Sequence, residues 1–406
     1  RIVDLFYAPK GLPTNKPYRN IPMHTLEGLR APQELCIVGN FVEVFLAREG
    51  HDKSVGINYL EKIQLPHLPS IYGAMLAGVS VVIMGAGIPL TIPGILDSLS
   101  QHQPVEYPVV VTGREGEVEI VNLPFDPKTF VEGIPIPETL KRPDFFPVVS
   151  TESLATILMK RANGRIDGFI IEGNLAGGHN APPRGRGVLS AEGEPVYGPR
   201  DDAKLEKFRD FGLPFWLAGS CGSAKGLATA LEAGATGVQV GTAFALCEES
   251  GLMPEARKEL VRQALAGKAR VFTDPVASPT GFPFKVADLA GTLSEDSVYQ
   301  HRRRICDCGF LRQPYRREDG KIGYRCSAEP VSAYVAKGGR EEDTVGRKCL
   351  CNALAADIGY PQRLRDGALE KPMVTMGDDL VDIGRFCSGD SVEFSAADVI
   401  RVILGA

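Results

Sequence analysis

Short aliphatic runs recur along the first two thirds of the chain, each ending in glycine or a small polar residue. They cover residues 55–60, 79–84, 146–150, 167–172, Phe215–Ala218 and 237–241. Runs this short and this continuous are the pattern of strands buried on both faces, as in a parallel sheet. Helical spacing falls between them. Within 223–233, Ala224, Leu227, Ala228 and Leu231 share one face at i, i+3, i+4, i+7. Residues 71–77, 152–159 and Pro254–Leu265 are expected as further helices. Residues 107–121 alternate and turn at Gly113-Arg-Glu-Gly116, which predicts a β-hairpin insertion. Residues 35–38 are a candidate for one more strand, with 41–47 helical after it. Alternating β and α elements imply a parallel sheet with both faces covered, and the alternation alone suits a closed barrel or an open doubly wound sheet.

The texture changes near Arg270. Residues 274–285 are a proline- and glycine-rich loop, 302–351 are rich in cysteine and arginine, and 378–406 are mixed. The expected division is an N-terminal segment 1–34, an α/β region 35–270 and a C-terminal extension 271–406.

Composition narrows the classes. Hydrophobic residues make up 44% and charged residues 23% of 406, so a large core can be buried. The 45 glycines exceed the usual ~7% and point to many tight turns. A net charge of −5 gives no reason to expect a nucleic-acid partner. Nine cysteines suit a reduced, cytoplasmic protein better than a disulfide scaffold. The first residues lack a basic leader and a cleavage pattern, so no signal peptide is expected. Residues 72–96 carry no charge, yet five glycines and two prolines divide them into helix, strand and turn instead of a membrane span.

Two strand exits carry the first candidate chemistry. Gly219 and Ser220 follow one strand; Gly241 and Thr242 follow the next. Glycine lets a phosphate approach the backbone, and N–H groups at a helix start satisfy its oxygens. Either exit alone also fits a ligand-free turn; the two close together point to phosphate. The spacing is not the G-x-G-x-x-G of a dinucleotide fold. The second candidate is Asp167-Gly-Phe-Ile-Ile-Glu-Gly-Asn-Leu-Ala-Gly-Gly-His179, where a strand ends in Glu172 and a glycine-rich loop presents His179. A histidine there can exchange protons or hydrogen-bond an anion.

Together, Glu-Gly-x-x-Ala-Gly-Gly-His, Ala-Gly-small and Gly-Val-Gln-Val-Gly-Thr-x-Phe resemble the nitronate monooxygenase family. Gly56-Ile57-Asn58 and Pro279-Thr-Gly-Phe-Pro add to the likeness, which spans about 35–290. Leu175 stands where relatives often carry glutamate. The resemblance implies a TIM (β/α)8 barrel, here apparently without its first strand or strands, holding FMN. It implies His179 as the catalytic base or substrate-binding group. It implies Asn58, Glu172, Gly177 and Gly178 facing the flavin, and Gly219, Ser220, Gly241 and Thr242 around its phosphate. The expected activity is oxidation of alkyl nitronates or related carbon acids with O2. The alternatives are an NAD(P)H-dependent FMN reductase of enoyl thioesters or quinones, and a non-catalytic barrel that binds a partner. A second copy or an acyl carrier are the macromolecular partners considered.

Cys306, Cys308, Cys326, Cys349 and Cys351 form two C-x-C pairs and a single thiol, not the C-x2-C spacing of zinc sites, so no metal is expected. Arg302, Arg303, Arg304, Arg312, Arg316 and Arg317 are expected as a solvated face, with a phosphorylated carrier or another subunit as the functional reading.

Overall fold

Six parallel strands form where the aliphatic runs predict them, three in each of two units. The computed structural model describes residues 1–8, 11–13, 16, 18, 21–113, 116–185, 187–389 and 391–406. One unit comprises 1–148, 155–168 and 306–341; the other comprises 149–154, 169–305 and 342–406.

In the first unit β1 (Gly56–Leu60) and β2 (Val81–Gly85) pair in parallel, from Gly56↔Val81 to Leu60↔Gly85. The expected hairpin follows as β3 (Val105–Thr112) and β4 (Val118–Phe125), antiparallel. Arg114 and Glu115 of its turn lie outside the described residues. The chain returns as β5 (Asp144–Val149), parallel to β2. Val82, Met84 and Phe145 on the strands, with Leu68, Ile71, Tyr72, Leu96 and Leu99 on the helices His67–Leu76 and Ile92–Ser100, are fully buried. The uncharged stretch 72–96 is thus divided among a helix end, β2 and a helix start. Among the described residues no helix is long and apolar enough to cross a membrane.

The strand considered at 35–38 does not form. Those residues lie inside a helix, Arg30–Ala47, which packs on His67–Leu76. The two backbones meet where a β-carbon on Gly73 would collide with the carbonyl of Ile37. Leu-Cys-Ile-Val is apolar enough for either element, and a helical neighbour decides it.

In the second unit β6 (Phe169–Glu172), β7 (Phe215–Ala218) and β8 (Gly237–Gln239) are parallel, with Glu172↔Ala218 and Ala218↔Gln239 in register. The strand–loop–helix succession recurs here, as expected of an α/β fold with a parallel sheet. Phe169 packs edge-on against Phe208 of the helix Leu205–Asp210. The loop 274–285 is the tip of an antiparallel pair, β9 (Val271–Asp274) and β10 (Phe284–Ala287). Leu246, Leu260, Val261, Leu380, Ile383 and Val399 form this unit's core. Finally β11 (Gln313–Arg316) and β12 (Ile322–Arg325) extend the hairpin sheet of the first unit, in the order β12-β11-β3-β4.

Candidate active site

Three loops of the second unit converge at the C-terminal ends of its strands. The loop after β6 carries Gly177, Gly178 and His179. It is held by its own turn, Asn180 Nδ2 donating to the Ala176 carbonyl at 3.0 Å, and by β10, where Lys285 N–H donates to the Gly178 carbonyl at 2.9 Å. Gly178 has φ +77° and faces open space, whereas a β-carbon on Gly177 would strike Met376 and Gly377.

His179 is half-buried between aromatic edges, its ring 4.8 Å from that of Phe284 and 6.4 Å from that of Phe282. Its Nε2 lies 2.7 Å from Ser278 Oγ, which in turn lies 2.7 Å from Thr280 Oγ1. Ser278 is fully buried. Burial pushes His179 down to about 4, so the imidazole is neutral at physiological pH. Desolvation acts oppositely on Glu172, raising it to about 8. Its carboxyl accepts no hydrogen bond among the described residues. Both titratable groups of this strand exit therefore stand uncharged: a protonated carboxyl and a neutral imidazole.

The exits of β7 and β8 adjoin. Gly219 has φ +99° and Ser220 φ +55°, the latter unusual for a residue with a side chain. A β-carbon on Gly219 would sit 3.1 Å from Ala176 N, so glycine lets this turn meet the β6 loop. The N–H groups of Ser220, Cys221, Gly222 and Gly241 donate to no group among the described residues. Ser223 caps the nine-residue helix Ala224–Glu232, accepting from Gly226 N–H at 3.0 Å. Unpaired backbone donors on two adjoining strand exits, with open space beside Gly241, suit a phosphate.

The sequence reading missed a segment that binds these exits together. Gly377 N–H donates to Thr242 Oγ1 at 2.9 Å, Gly178 N–H to Thr375 Oγ1 at 2.8 Å, and Asp378 N–H to the Leu175 carbonyl at 3.0 Å. Arg385 donates to the Gly222 carbonyl and to Asp379. The only signal in the sequence is the small, acidic run Gly377-Asp378-Asp379, which has no periodicity. Two ion pairs brace the same region: the buried Lys285 with the half-buried Asp378 at 2.6 Å, and the buried Lys348 with Asp274 at 2.8 Å. Arg347 reaches the carbonyls of Val276 and Ser278.

Asn58 is on β1 of the first unit, where it is exposed. The five grouped cysteines are divided as well: Cys306, Cys308 and Cys326 belong to the first unit, Cys349 and Cys351 to the second. The arginine cluster is largely neutralised by Arg302–Glu370, Arg303–Asp366, Arg316–Glu119 and Arg317–Asp319 pairs.

Residues 109–277 match the nitronate monooxygenase family. Nitronate monooxygenase of Pseudomonas aeruginosa is 36% identical over 118 residues, 29% of this chain and 32% of that one. The chain thus matches about a third of that relative's length. Among solved structures, a FabK mutant from Thermotoga maritima is similar at TM-score 0.48 and 16% identity, covering 92% of this chain and 87% of that one. Nitroalkane oxidase from Streptomyces ansochromogenes is similar at TM-score 0.47 and 16% identity, covering 92% and 91%. The enoyl reductase domain of MlnA from Bacillus amyloliquefaciens is similar at 0.48 and 12%, covering 98% and 85%. The matched stretch holds the His179 loop and both strand exits, and over it the chain is similar to the nitronate monooxygenase family.

Proposed function

We propose that the protein is an FMN-dependent oxidoreductase of the nitronate monooxygenase type, acting on alkyl nitronates or related carbon acids with O2 as acceptor. The observation that carries this reading is the pairing of unsatisfied backbone donors at the β7 and β8 exits with a buried neutral imidazole on the adjacent glycine-rich loop. The donor set fits a phosphomonoester, which accepts several N–H bonds at once. Ser220, Gly222, Gly241 and Thr242 would hold that phosphate, and open space beside Gly178 leaves room for a flat ring. FMN bound there would supply the electron-accepting chemistry that no side chain of the chain possesses.

The chain's own residues then have separable tasks. His179, neutral and fixed at Nε2 by Ser278, takes a proton from a neutral carbon acid or hydrogen-bonds the oxygen of an anionic one at Nδ1. Glu172, kept protonated by burial, offers an O–H donor without adding negative charge beside an anion. Phe282 and Phe284 keep water from the imidazole. The test is a flavin spectrum of the purified full chain together with O2 consumption on a propyl nitronate. A colourless protein that takes up no FMN and consumes no O2 would remove the reading.

A further inference from the structure

On the β11–β12 hairpin of the first unit, a half-buried guanidinium stands with one edge unused. Tyr315 pairs with Gly323 across the two strands, and a β-carbon on Gly323 would lie 2.6 Å from the tyrosine ring. The glycine thus lets the ring lie over β12. Gly339 does the same for Tyr334 of the helix Val331–Ala336, where a β-carbon would come within 2.2 Å of the ring. Arg325, the last residue of β12, lies against both rings. Its guanidinium carbon is 4.8 Å from the centroid of Tyr315 and 5.8 Å from that of Tyr334. Its Nη1 donates to the Lys337 carbonyl at 2.8 Å. One end of the guanidinium is fixed by that bond, and the rings restrict the rest.

Among the described residues Arg325 forms no ion pair, and its Nε and Nη2 meet no acceptor. Those two groups share one edge, the fork that binds two oxygens of a phosphate or carboxylate at once. Arg325 lines a cavity of about 1000 Å³ on this hairpin, with Arg312, Arg316, Arg317 and Lys337, against Glu318 and Asp319. The other cations are more fully engaged. Arg316 gives Nε and Nη2 to Glu119, and Lys337 gives Nζ to Glu329. Arg312 gives Nε and Nη2 to the carbonyls of Gly309 and His24. Arg317 meets Asp319 at 3.3 Å, with the side chains 53% and 42% exposed, a surface pair worth little and readily exchanged. Tyr315 also lines the cavity, and its hydroxyl has no hydrogen-bond partner among the described residues.

We propose that this hairpin cavity binds a small phosphomonoester, whose phosphate oxygens accept from Nε and Nη2 of Arg325. Five cationic lining residues against two acidic ones favour a dianion over a carboxylate. Arg317 can exchange the exposed Asp319 for a further phosphate oxygen, and the Tyr315 hydroxyl is a spare donor. At about 1000 Å³ the cavity is at the upper end of small-ligand sites, so room remains for the organic part of the ester. The site belongs to the first unit and shares no residue with the strand exits proposed to hold the flavin phosphate, so it stands or falls independently of that reading.

The experiment titrates the full chain with phenyl phosphate at low ionic strength by calorimetry. Gly241→Asp is titrated in parallel, which separates this site from the β7 and β8 exits. Binding is expected in the wild type and in Gly241→Asp. Affinity should fall by at least about tenfold in Arg325→Gln, and also in Arg325→Lys, since lysine keeps the charge but not the fork. Acetate should bind at least about tenfold more weakly than phenyl phosphate. A second measurement uses the wild type alone: phenyl phosphate should protect Arg325 from phenylglyoxal, read by mass spectrometry as retained tryptic cleavage after Arg325. Unchanged affinity in Arg325→Gln, acetate binding equal to that of phenyl phosphate, or the same state of Arg325 with and without the ligand overturns the proposal.

Discussion

Replacing His179 with glutamine tests the site most closely, because the structure sets the expected size of the effect. Burial holds His179 near 4, so at pH 7 the neutral ring outweighs the cation by about a thousandfold. An anionic substrate changes that balance. A unit negative charge about 4 Å away is worth about 4 kcal/mol at the effective dielectric of a partly buried site. That is about three pK units, enough to return the ring to the neutral range once a nitronate is bound. Glutamine keeps a polar atom near Nε2 for the 2.7 Å contact with Ser278 but cannot carry the charge. If His179 only binds the anion, the loss is the difference between a charged and a neutral hydrogen bond, about 1–2 kcal/mol, or roughly 5–30-fold, mostly in KM. If it also moves a proton, kcat/KM on the neutral nitroalkane falls by ~10²–10⁴. The assay is steady-state O2 consumption on both substrate forms, with flavin content read from the visible spectrum. In the free enzyme the wild-type profile should show no inflection from His179 near 6.5. Wild-type turnover in a flavin-replete His179→Gln protein, or an inflection near 6.5 that this variant abolishes, would refute the reasoning.

Three further outcomes are expected. Gly241→Asp places a carboxylate beside the unpaired N–H groups of the β7 and β8 exits and should abolish FMN retention while leaving the circular dichroism spectrum unchanged; undiminished flavin occupancy would count against the phosphate assignment. Lys348→Met strands the buried Asp274, whose other oxygen caps the N–H groups of Val276 and Ala277, and should cost about 3–5 kcal/mol in urea denaturation. Glu172 titrates near 8 folded and near its ordinary 4.5 unfolded. The folded state thus holds a proton that the unfolded state has released, so wild-type stability falls as pH rises through that window. Glu172→Gln lacks this dependence, and its melting temperature should gain on the wild type from pH 4.5 to 8; a constant difference would contradict the shift.

Much of this arrangement is legible in the chain because strand exits are local. Phe215–Ala218 followed by Gly219-Ser220 announces a turn whose positive φ favours glycine, and Gly237–Gln239 followed by Gly241-Thr242 announces a strand running out into a helix start. The helix Pro254–Leu265 forms with the bounds its spacing predicts, proline first and apolar residues on one face. What local pattern cannot carry is partnership at long range. Thr375 and Gly377 meet Gly178 and Thr242 across more than a hundred residues of chain, through single hydrogen bonds that leave no periodicity. Ser278 is equally silent: a serine in a Pro-rich loop becomes the partner of His179 only because β10 brings Phe284 alongside the histidine. The Leu35–Val38 run went to helix for a similar reason, since the contact that decides it comes from Gly73 on another helix.

The most direct test of the central claim is anaerobic. The purified full chain, loaded with FMN and freed of excess, is mixed with a propyl nitronate in the absence of oxygen and of NAD(P)H, and the visible flavin absorbance is followed. The account predicts bound FMN at the β7 and β8 exits, bleaching on nitronate addition, and recovery of the yellow spectrum when O2 is admitted. Flavin that stays oxidised with nitronate yet bleaches at once with NAD(P)H would contradict it.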